Sequence, residues 1–194
     1  MVDTMWALAY ISDNLDLDIL HKAGIMSMAV ILLEYTEIKV ITVALRIVSN
    51  FASDYNNRYD KELLEMGILQ KIAGLCKNVN SSVKKEAYFM LSNIAANSQE
   101  YFELVISTPD LLQNIVSTIC SSMINDDVKT EAMHILTNGS YNLTYGNIFE
   151  LLMNEGILKC IKIMLHVNSK KKDKIIIEVL SCLKKLIQIG DKLV

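Results

Sequence analysis

Over most of the chain, the pattern of apolar and polar positions is that of amphipathic helices. The clearest stretch is VKKEAYFMLSNIAANS, from Val83 to Ser98, and a similar stretch, VKTEAMHILTNGSYN, runs from Val128 to Asn142. Residues three and seven positions apart share one face of a helix. That face carries an acid, a ring and an amide in each stretch: Glu86, Phe89 and Asn93, then Glu131, His134 and Asn138. Apolar residues such as Leu91 turn the other way, which predicts helices with a buried back and a patterned front.

The same signals repeat along the chain. A small or acidic residue followed by two aliphatic residues begins at Gly24, Gly67, Asp110 and Gly156. A second marker follows each of these, at Asn50, Asn93, Asn138 and, in a weaker copy, Lys185. Tyr10 takes the same place at the front of the chain. The period of about 40 to 47 residues is typical of solenoids whose units contain two or three helices.

Each unit is predicted to contain three helices. A short first helix such as Lys61–Met66 ends at a glycine suited to a left-handed C-cap. A second helix such as Ile68–Cys76 follows, and a polar loop then leads to the longest helix. Ser82 and Asp127 are the expected N-caps of two of these third helices.

We therefore expect an all-α solenoid of about four three-helix units. The approximate bounds over 1–194 are 1–12 for a partial unit, then 13–54, 55–97, 98–142 and 143–194. Neither end resembles the polar capping unit that a solenoid needs, so we expect the array to be incomplete at both ends.

Composition and charge narrow the function classes. A net charge of −3 gives no reason to expect direct nucleic-acid binding. Apolar runs such as Ala29–Leu33 are too short to span a bilayer, and the first residues, MVDTMWALAY, lack the basic segment of a signal peptide. The four cysteines form no C-x-x-C pair, and no second His or Cys falls at ligand spacing from His134. We predict that the chain is not an enzyme and uses no catalytic residues, metal or cofactor.

Four segments occur in a fixed order: DTMWALAYISD from Asp3, ALRIVSN from Ala44, KKEAYFMLSN from Lys84 and KTEAMHILTN from Lys129. In order and spacing they resemble the armadillo repeats of importin alpha, the adaptor for nuclear localisation signals. The resemblance covers nearly the whole chain, from about the fifth repeat of that family to the ninth or tenth. It implies a right-handed armadillo-repeat solenoid.

The resemblance also implies a binding site. In the family, an extended Lys/Arg peptide lies along the concave groove formed by the third helices. Asparagines hydrogen-bond its backbone, tryptophans form slots for its side chains, and acids pair with its charges. The matching peptide-binding positions are Asp3, Trp6, Arg46, Asn50, Glu86, Phe89, Ser92, Asn93, Glu131, His134 and Asn138.

Two of these positions depart from the family. Phe89 and His134 stand where the family has tryptophan, so two slots offer a smaller wall and a weaker attraction for a cation. Asp3 and Trp6 fall at the edge of the major site of the family, and Arg46 matches the arginine between that site and the minor one. The resemblance therefore implies a minor-site region of reduced strength.

The function implied is that of a nuclear import adaptor module in the cytoplasm and nucleus, which binds basic nuclear localisation signal peptides of cargo proteins. Full-length members also bind importin beta and an export receptor, through segments that we expect to be absent or incomplete in this sequence. The alternative is a divergent armadillo scaffold that has lost signal-peptide binding, which the substitutions at Phe89 and His134 favour. Direct binding to nucleic acid or membrane is not expected.

Overall fold

The computed structural model describes residues 2–14, 17–54, 56–144, 147–167 and 172–192, and the regular elements in these ranges are all α-helices. In chain order they are α1 (Val2–Asn14), α2 (Leu17–Lys22), α3 (Ile25–Leu32), α4 (Ile38–Ala52), α5 (Asp60–Glu65), α6 (Ile68–Cys76), α7 (Ser81–Asn97), α8 (Gln99–Ser107), α9 (Leu111–Cys120), α10 (Asp126–Tyr141), α11 (Asn147–Glu155), α12 (Ile157–Met164) and α13 (Lys172–Gly190).

The helices follow the predicted order. After α1, the chain runs four times through a shorter helix, a second helix and a longer third helix. We refer to α1, α4, α7, α10 and α13 as the third helices. The all-α fold expected from the sequence is confirmed, and no described helix is both long enough and apolar enough to cross a bilayer.

Residues in the left-handed backbone conformation connect the first and second helices of each unit, as the glycines at these positions led us to expect. Gly24, Gly67 and Gly156 have φ angles of 74°, 71° and 95°. Glycine adopts this conformation without the steric cost that a Cβ atom brings. Asp110 takes the same place with φ of 62°, and aspartate is one of the few other residues that tolerate it. The first marker of the sequence, a small or acidic residue before two aliphatic residues, therefore corresponds to the sharp turn between the first and second helices of each three-helix unit.

The N-caps of α7 and α10 lie two residues earlier than predicted. The Asn80 side-chain oxygen accepts hydrogen bonds from the backbone N–H groups of Ser82 and Val83, at 2.9 and 3.2 Å. The Asn125 side-chain oxygen accepts one from Val128 at 2.9 Å. The prediction of Ser82 and Asp127 as caps was wrong, because an asparagine just upstream reaches the free N–H groups first.

Contacts divide the chain into two compact units: the N-terminal unit up to Asn93 and the C-terminal unit from Ile94 onward. In the N-terminal unit, α4 packs against α1 and α3. From Val40 to Ala52, all residues of α4 are buried except Thr42 and Arg46. This helix therefore forms the centre of the N-terminal unit and leaves only a narrow strip of surface.

In the C-terminal unit, α10 packs against α9 and α13, and α12 packs against the same two helices. Between Val128 and Ser140, α10 leaves only Lys129, His134 and Asn138 less than fully buried. Gly139 lies on its buried side, where the ring of Phe102 from α8 fills the space that a side chain would need. Close packing thus fixes which face of α10 is available to a ligand.

The contact at Gly139 yields a stability prediction. A Cβ at this position would lie 2.1 Å from Phe102 Cδ2, so we expect Gly139→Ala to lower the free energy of unfolding by about 1–3 kcal/mol. Gly74→Ala is the matched control, since a Cβ there meets no described atom within 4 Å and alanine should stabilise α6 by about 0.5–1 kcal/mol. Urea unfolding followed by circular dichroism measures both. Equal stability of the two variants would contradict the packing of α8 on α10.

The corrected cap yields a second prediction. Asn80→Ala should lower the free energy of unfolding by about 1 kcal/mol, because two N–H groups of the first turn of α7 lose their acceptor. Ser82→Ala, two residues on, should change it by less than about 0.5 kcal/mol. Thermal unfolding of the two variants measures both changes in stability. A larger loss for Ser82→Ala would restore the original cap assignment.

Candidate functional site

The third helices carry their marker residues, and the residues four and seven positions before them, in one register. We call the marker residue the rear position, the residue four before it the centre, and the residue seven before it the front; about two helical turns separate front from rear. From front to rear the residues are Asp3, Trp6 and Tyr10 on α1; Val43, Arg46 and Asn50 on α4; Glu86, Phe89 and Asn93 on α7; Glu131, His134 and Asn138 on α10; and Glu178, Ser181 and Lys185 on α13.

The face of α1 is open to solvent. Trp6 is 39% exposed, and its ring centroid lies 6.4 Å from that of Tyr10. Asp3 is exposed one turn earlier. Trp6 is therefore a surface residue and not part of the core, and the N-terminal unit presents an acid beside two adjacent aromatic rings.

On α7, the acid and the ring already hold a cation from the same unit. The guanidinium carbon of Arg46 lies 5.8 Å from the centroid of the Phe89 ring. Arg46 Nη1 lies 3.4 Å from Glu86 Oε2. A cation above a ring face and beside a carboxylate is held by the ring quadrupole and by charge. The side chain at the centre position of α4, Arg46, therefore covers the front and centre residues of α7, Glu86 and Phe89.

Two of the predicted peptide contacts face into the protein. Asn50 is 8% exposed, and its Nδ2 donates to the Ala9 carbonyl at 3.3 Å and to Ser12 Oγ at 2.7 Å. The Ser92 hydroxyl, on a buried residue, donates to the Phe89 carbonyl at 2.8 Å. The amide of Asn50 thus joins α4 to α1, a use that its spacing in the sequence did not reveal.

The other two predicted asparagines are more accessible. Asn93 and Asn138 are both half-buried. Asn93 Nδ2 lies 3.5 Å from the Ser49 carbonyl, at the long limit of a hydrogen bond. A bond of this length costs little to exchange for a ligand carbonyl. Asn93 and Asn138 are therefore the better placed rear residues for holding an extended backbone.

On α10, the histidine ring lies between two carboxylates. His134 Nδ1 is 3.2 Å from Oε2 of Glu131, and Nε2 is 3.1 Å from Oε2 of Glu178 on α13. Glu131 is 5% exposed, and 21% of the Glu178 side chain is exposed. The site was predicted to contain Glu131 and His134 but not Glu178. The sequence does contain a signal for Glu178, because this residue stands seven positions before the weak marker Lys185, as the other front acids stand before their markers.

Both units contain the same contact between successive third helices. In the N-terminal unit the centre residue Arg46 reaches the front acid Glu86, and in the C-terminal unit the centre residue His134 reaches the front acid Glu178. Partners lie 40 or 44 residues apart in the chain, which is one repeat. The register thus brings a basic side chain of one helix against an acid of the next.

Candidate chemistry outside these clusters is limited. Burial, and then the neighbouring Cys120, raise the pKa of the Cys160 thiol to about 12. Burial also raises the pKa of the Cys76 and Cys182 thiols above the ordinary range. These three thiols stay protonated at neutral pH and are poor nucleophiles. Within the described ranges, no three His, Cys, Asp or Glu side chains are grouped so as to hold a metal ion.

Comparison with known sequences finds a relative that matches part of the chain. No protein-family model matches the chain. Importin subunit alpha-1a of Oryza sativa subsp. japonica is 29% identical over 109 residues, which is 55% of this chain and 21% of that protein. The chain therefore spans only a small part of the length of this relative.

Comparison with solved structures covers nearly the whole chain. A designed armadillo repeat protein in complex with the peptide (KR)4 has a TM-score of 0.79 at 24% identity, over 93% of this chain and 74% of that one. A second designed armadillo repeat protein has a TM-score of 0.80 at 22% identity, over 97% and 81%. An engineered protein reaches 0.82 at 25% identity, over 95% and 74%. The chain has an armadillo-repeat fold.

The armadillo fold predicted from the sequence is thus confirmed, including the arrangement of three-helix units in a solenoid. The register described above gives each third helix a front, a centre and a rear residue.

The role of Asn50 inside this armadillo scaffold yields a third prediction. Asn50→Ala should lower the free energy of unfolding by about 1–3 kcal/mol, because it removes two buried hydrogen bonds and leaves the Ala9 carbonyl and the Ser12 hydroxyl bonded only to each other. Asn93→Ala is the matched control and should cost less than about 1 kcal/mol, since that amide is half-buried and makes a long bond. Chemical unfolding measures both. A smaller loss for Asn50→Ala than for Asn93→Ala would contradict the assignment of Asn50 to the packing of α1 on α4.

Proposed function

We propose that this chain binds Lys/Arg-rich peptides of the nuclear localisation type and acts as an adaptor module of nuclear import, in the cytoplasm and nucleus. The observation that carries the proposal is the position of Arg46. Its guanidinium lies 5.8 Å from the Phe89 ring centroid and 3.4 Å from Glu86. The front and centre of α7 therefore have the chemistry to hold an arginine, because they already hold one.

A peptide arginine can take this place at small cost. The Arg46 side chain is 41% exposed, so it can turn into solvent and keep its hydration. The contacts given up are an ion pair of about 0.2–1 kcal/mol and a cation–π contact of about 0.5–1 kcal/mol. A ligand arginine restores both, and the rear residue Asn93 on the same helix adds a hydrogen bond to the peptide backbone.

The similar proteins support the same class of ligand. The matched plant protein is an importin alpha subunit, and the designed armadillo repeat protein with a TM-score of 0.79 is in complex with (KR)4. The net charge of −3 favours approach of a basic peptide. Glu86, Glu131 and Glu178 supply negative charge on the third helices of both units.

A second candidate function is a scaffold that has lost signal-peptide binding. The observation that favours it is that all three of these acids have a basic partner within the chain: Arg46 for Glu86, His134 for Glu131, and both His134 and Lys174 for Glu178. In this alternative the contacts are permanent and hold successive third helices together. Cargo recognition and nuclear transport would then be absent.

Titration of a fluorescent Lys/Arg-rich peptide separates the two functions. We expect binding that weakens as salt rises. The double variant Asn93→Ala/Asn138→Ala should weaken it about tenfold or more, since each lost hydrogen bond contributes about 0.5–1.5 kcal/mol. Gln70→Ala/Gln113→Ala is the matched control, because these two amides are exposed on second helices.

Arg46→Ala sharpens the test. It removes the internal competitor at Glu86 and Phe89 and should tighten peptide binding a few-fold. Absence of binding at high micromolar concentration to a folded wild-type protein would contradict the adaptor function and favour the scaffold. Equal weakening by the two amide double variants would contradict the placement of the site on the third helices.

A further inference from the structure

The cluster around His134 in the C-terminal unit suggests a more specific interaction. We infer that Glu131 and Glu178 together form a receptor for one arginine side chain of a bound peptide, and that the His134 ring fills this receptor when no peptide is present. The inference rests on the proposed function. It adds Glu178 as a specificity-determining residue, which the resemblance to importin alpha did not include.

The first support is the convergence of two acids on one side chain. Each ring nitrogen of His134 faces a carboxylate oxygen, at 3.2 Å for Glu131 and 3.1 Å for Glu178. A group that takes the place of this ring must therefore present a donor to each acid. A peptide guanidinium, with its five N–H donors, does so.

The second support is the state of Glu178. Its Oε2 atom is buried and has no hydrogen-bond partner among the described residues, although His134 Nε2 lies 3.1 Å away. The other oxygen lies 3.7 Å from Lys174 Nζ, and that lysine side chain is 73% exposed. Exposed pairs of this length contribute little. Glu178 therefore keeps a buried acceptor that a ligand donor would satisfy.

The third support is the same register in the N-terminal unit. There the front acid Glu86 holds a guanidinium, that of Arg46, from the centre of the preceding third helix. In the C-terminal unit the corresponding centre residue is His134, which is shorter and less basic. The front acid Glu178 thus has the position of Glu86 without its arginine. A peptide arginine would restore the pairing seen at Glu86.

The shape of the cluster selects arginine over lysine. A guanidinium carries five N–H donors in a planar fork, so it can donate to two carboxylates from different edges. A lysine ammonium is a compact point charge and reaches one of them well. We therefore expect replacement of the relevant peptide arginine by lysine to weaken binding several-fold, and replacement by citrulline to weaken it more.

The experiment is a titration of arginine-containing signal peptide against three variants of the full chain. Glu178→Gln should weaken binding about tenfold, whereas Glu155→Gln, an exposed acid on α11 with the same change of charge, should leave it within about twofold. His134→Ala should leave binding unchanged or tighten it, because the ring that fills the receptor is gone. If His134 were itself the wall of an aromatic slot, His134→Ala would weaken binding, which would overturn the inference.

A charge exchange identifies the contact directly. Glu178→Arg should weaken binding of the arginine peptide and bind more tightly a peptide in which that arginine is replaced by glutamate, with circular dichroism confirming the fold. Peptide binding that depends on Asn93 and Asn138 but is equal in Glu178→Gln and Glu155→Gln would overturn the receptor and leave the proposed function standing. No peptide binding to the wild-type chain would overturn both.

Discussion

Burial of the third helices is the constraint on which the rest of the structure depends. Between Val128 and Ser140, only Lys129, His134 and Asn138 escape full burial on α10, and α4 leaves only Thr42 and Arg46 between Val40 and Ala52. A helix packed on nearly all sides offers a ligand one narrow strip. On α4 and α10 that strip includes the centre residues Arg46 and His134 and the rear residue Asn138. Few positions on each of these helices are therefore open to a ligand.

The sequence predicted the helices well because burial and turns leave strong local patterns. The predicted helix Ile68–Cys76 has the observed bounds of α6, and three glycines have the left-handed conformation expected of them. The caps of α7 and α10 were missed because several short polar residues precede each of these two helices, and only geometry shows that Asn80 and Asn125 reach the free N–H groups.

The candidate site was less predictable because it depends on contacts one repeat apart. Spacing placed Glu86, Phe89 and Asn93 on one face, but it did not show that Arg46 lies on that face or that the Asn50 amide is used by α1. Glu178 had a signal in its distance from Lys185, yet only the structure brings it to His134. Pairing between successive helices is a three-dimensional property. Under the proposed function, a basic ligand would exchange its cation for the one that the chain already holds.

The most direct test of this exchange observes the arginine side chains during peptide binding. The chain has only two arginines, Arg46 and Arg58. Arg58 is paired with Asp18 and Asp54 at 2.8 Å and serves as an internal reference. In nitrogen-15 NMR spectra, we expect the side-chain signal of Arg46 to move as a Lys/Arg-rich peptide is added, while that of Arg58 stays in place. A saturated complex in which the Arg46 signal has not moved would contradict the exchange on which this account of the site depends.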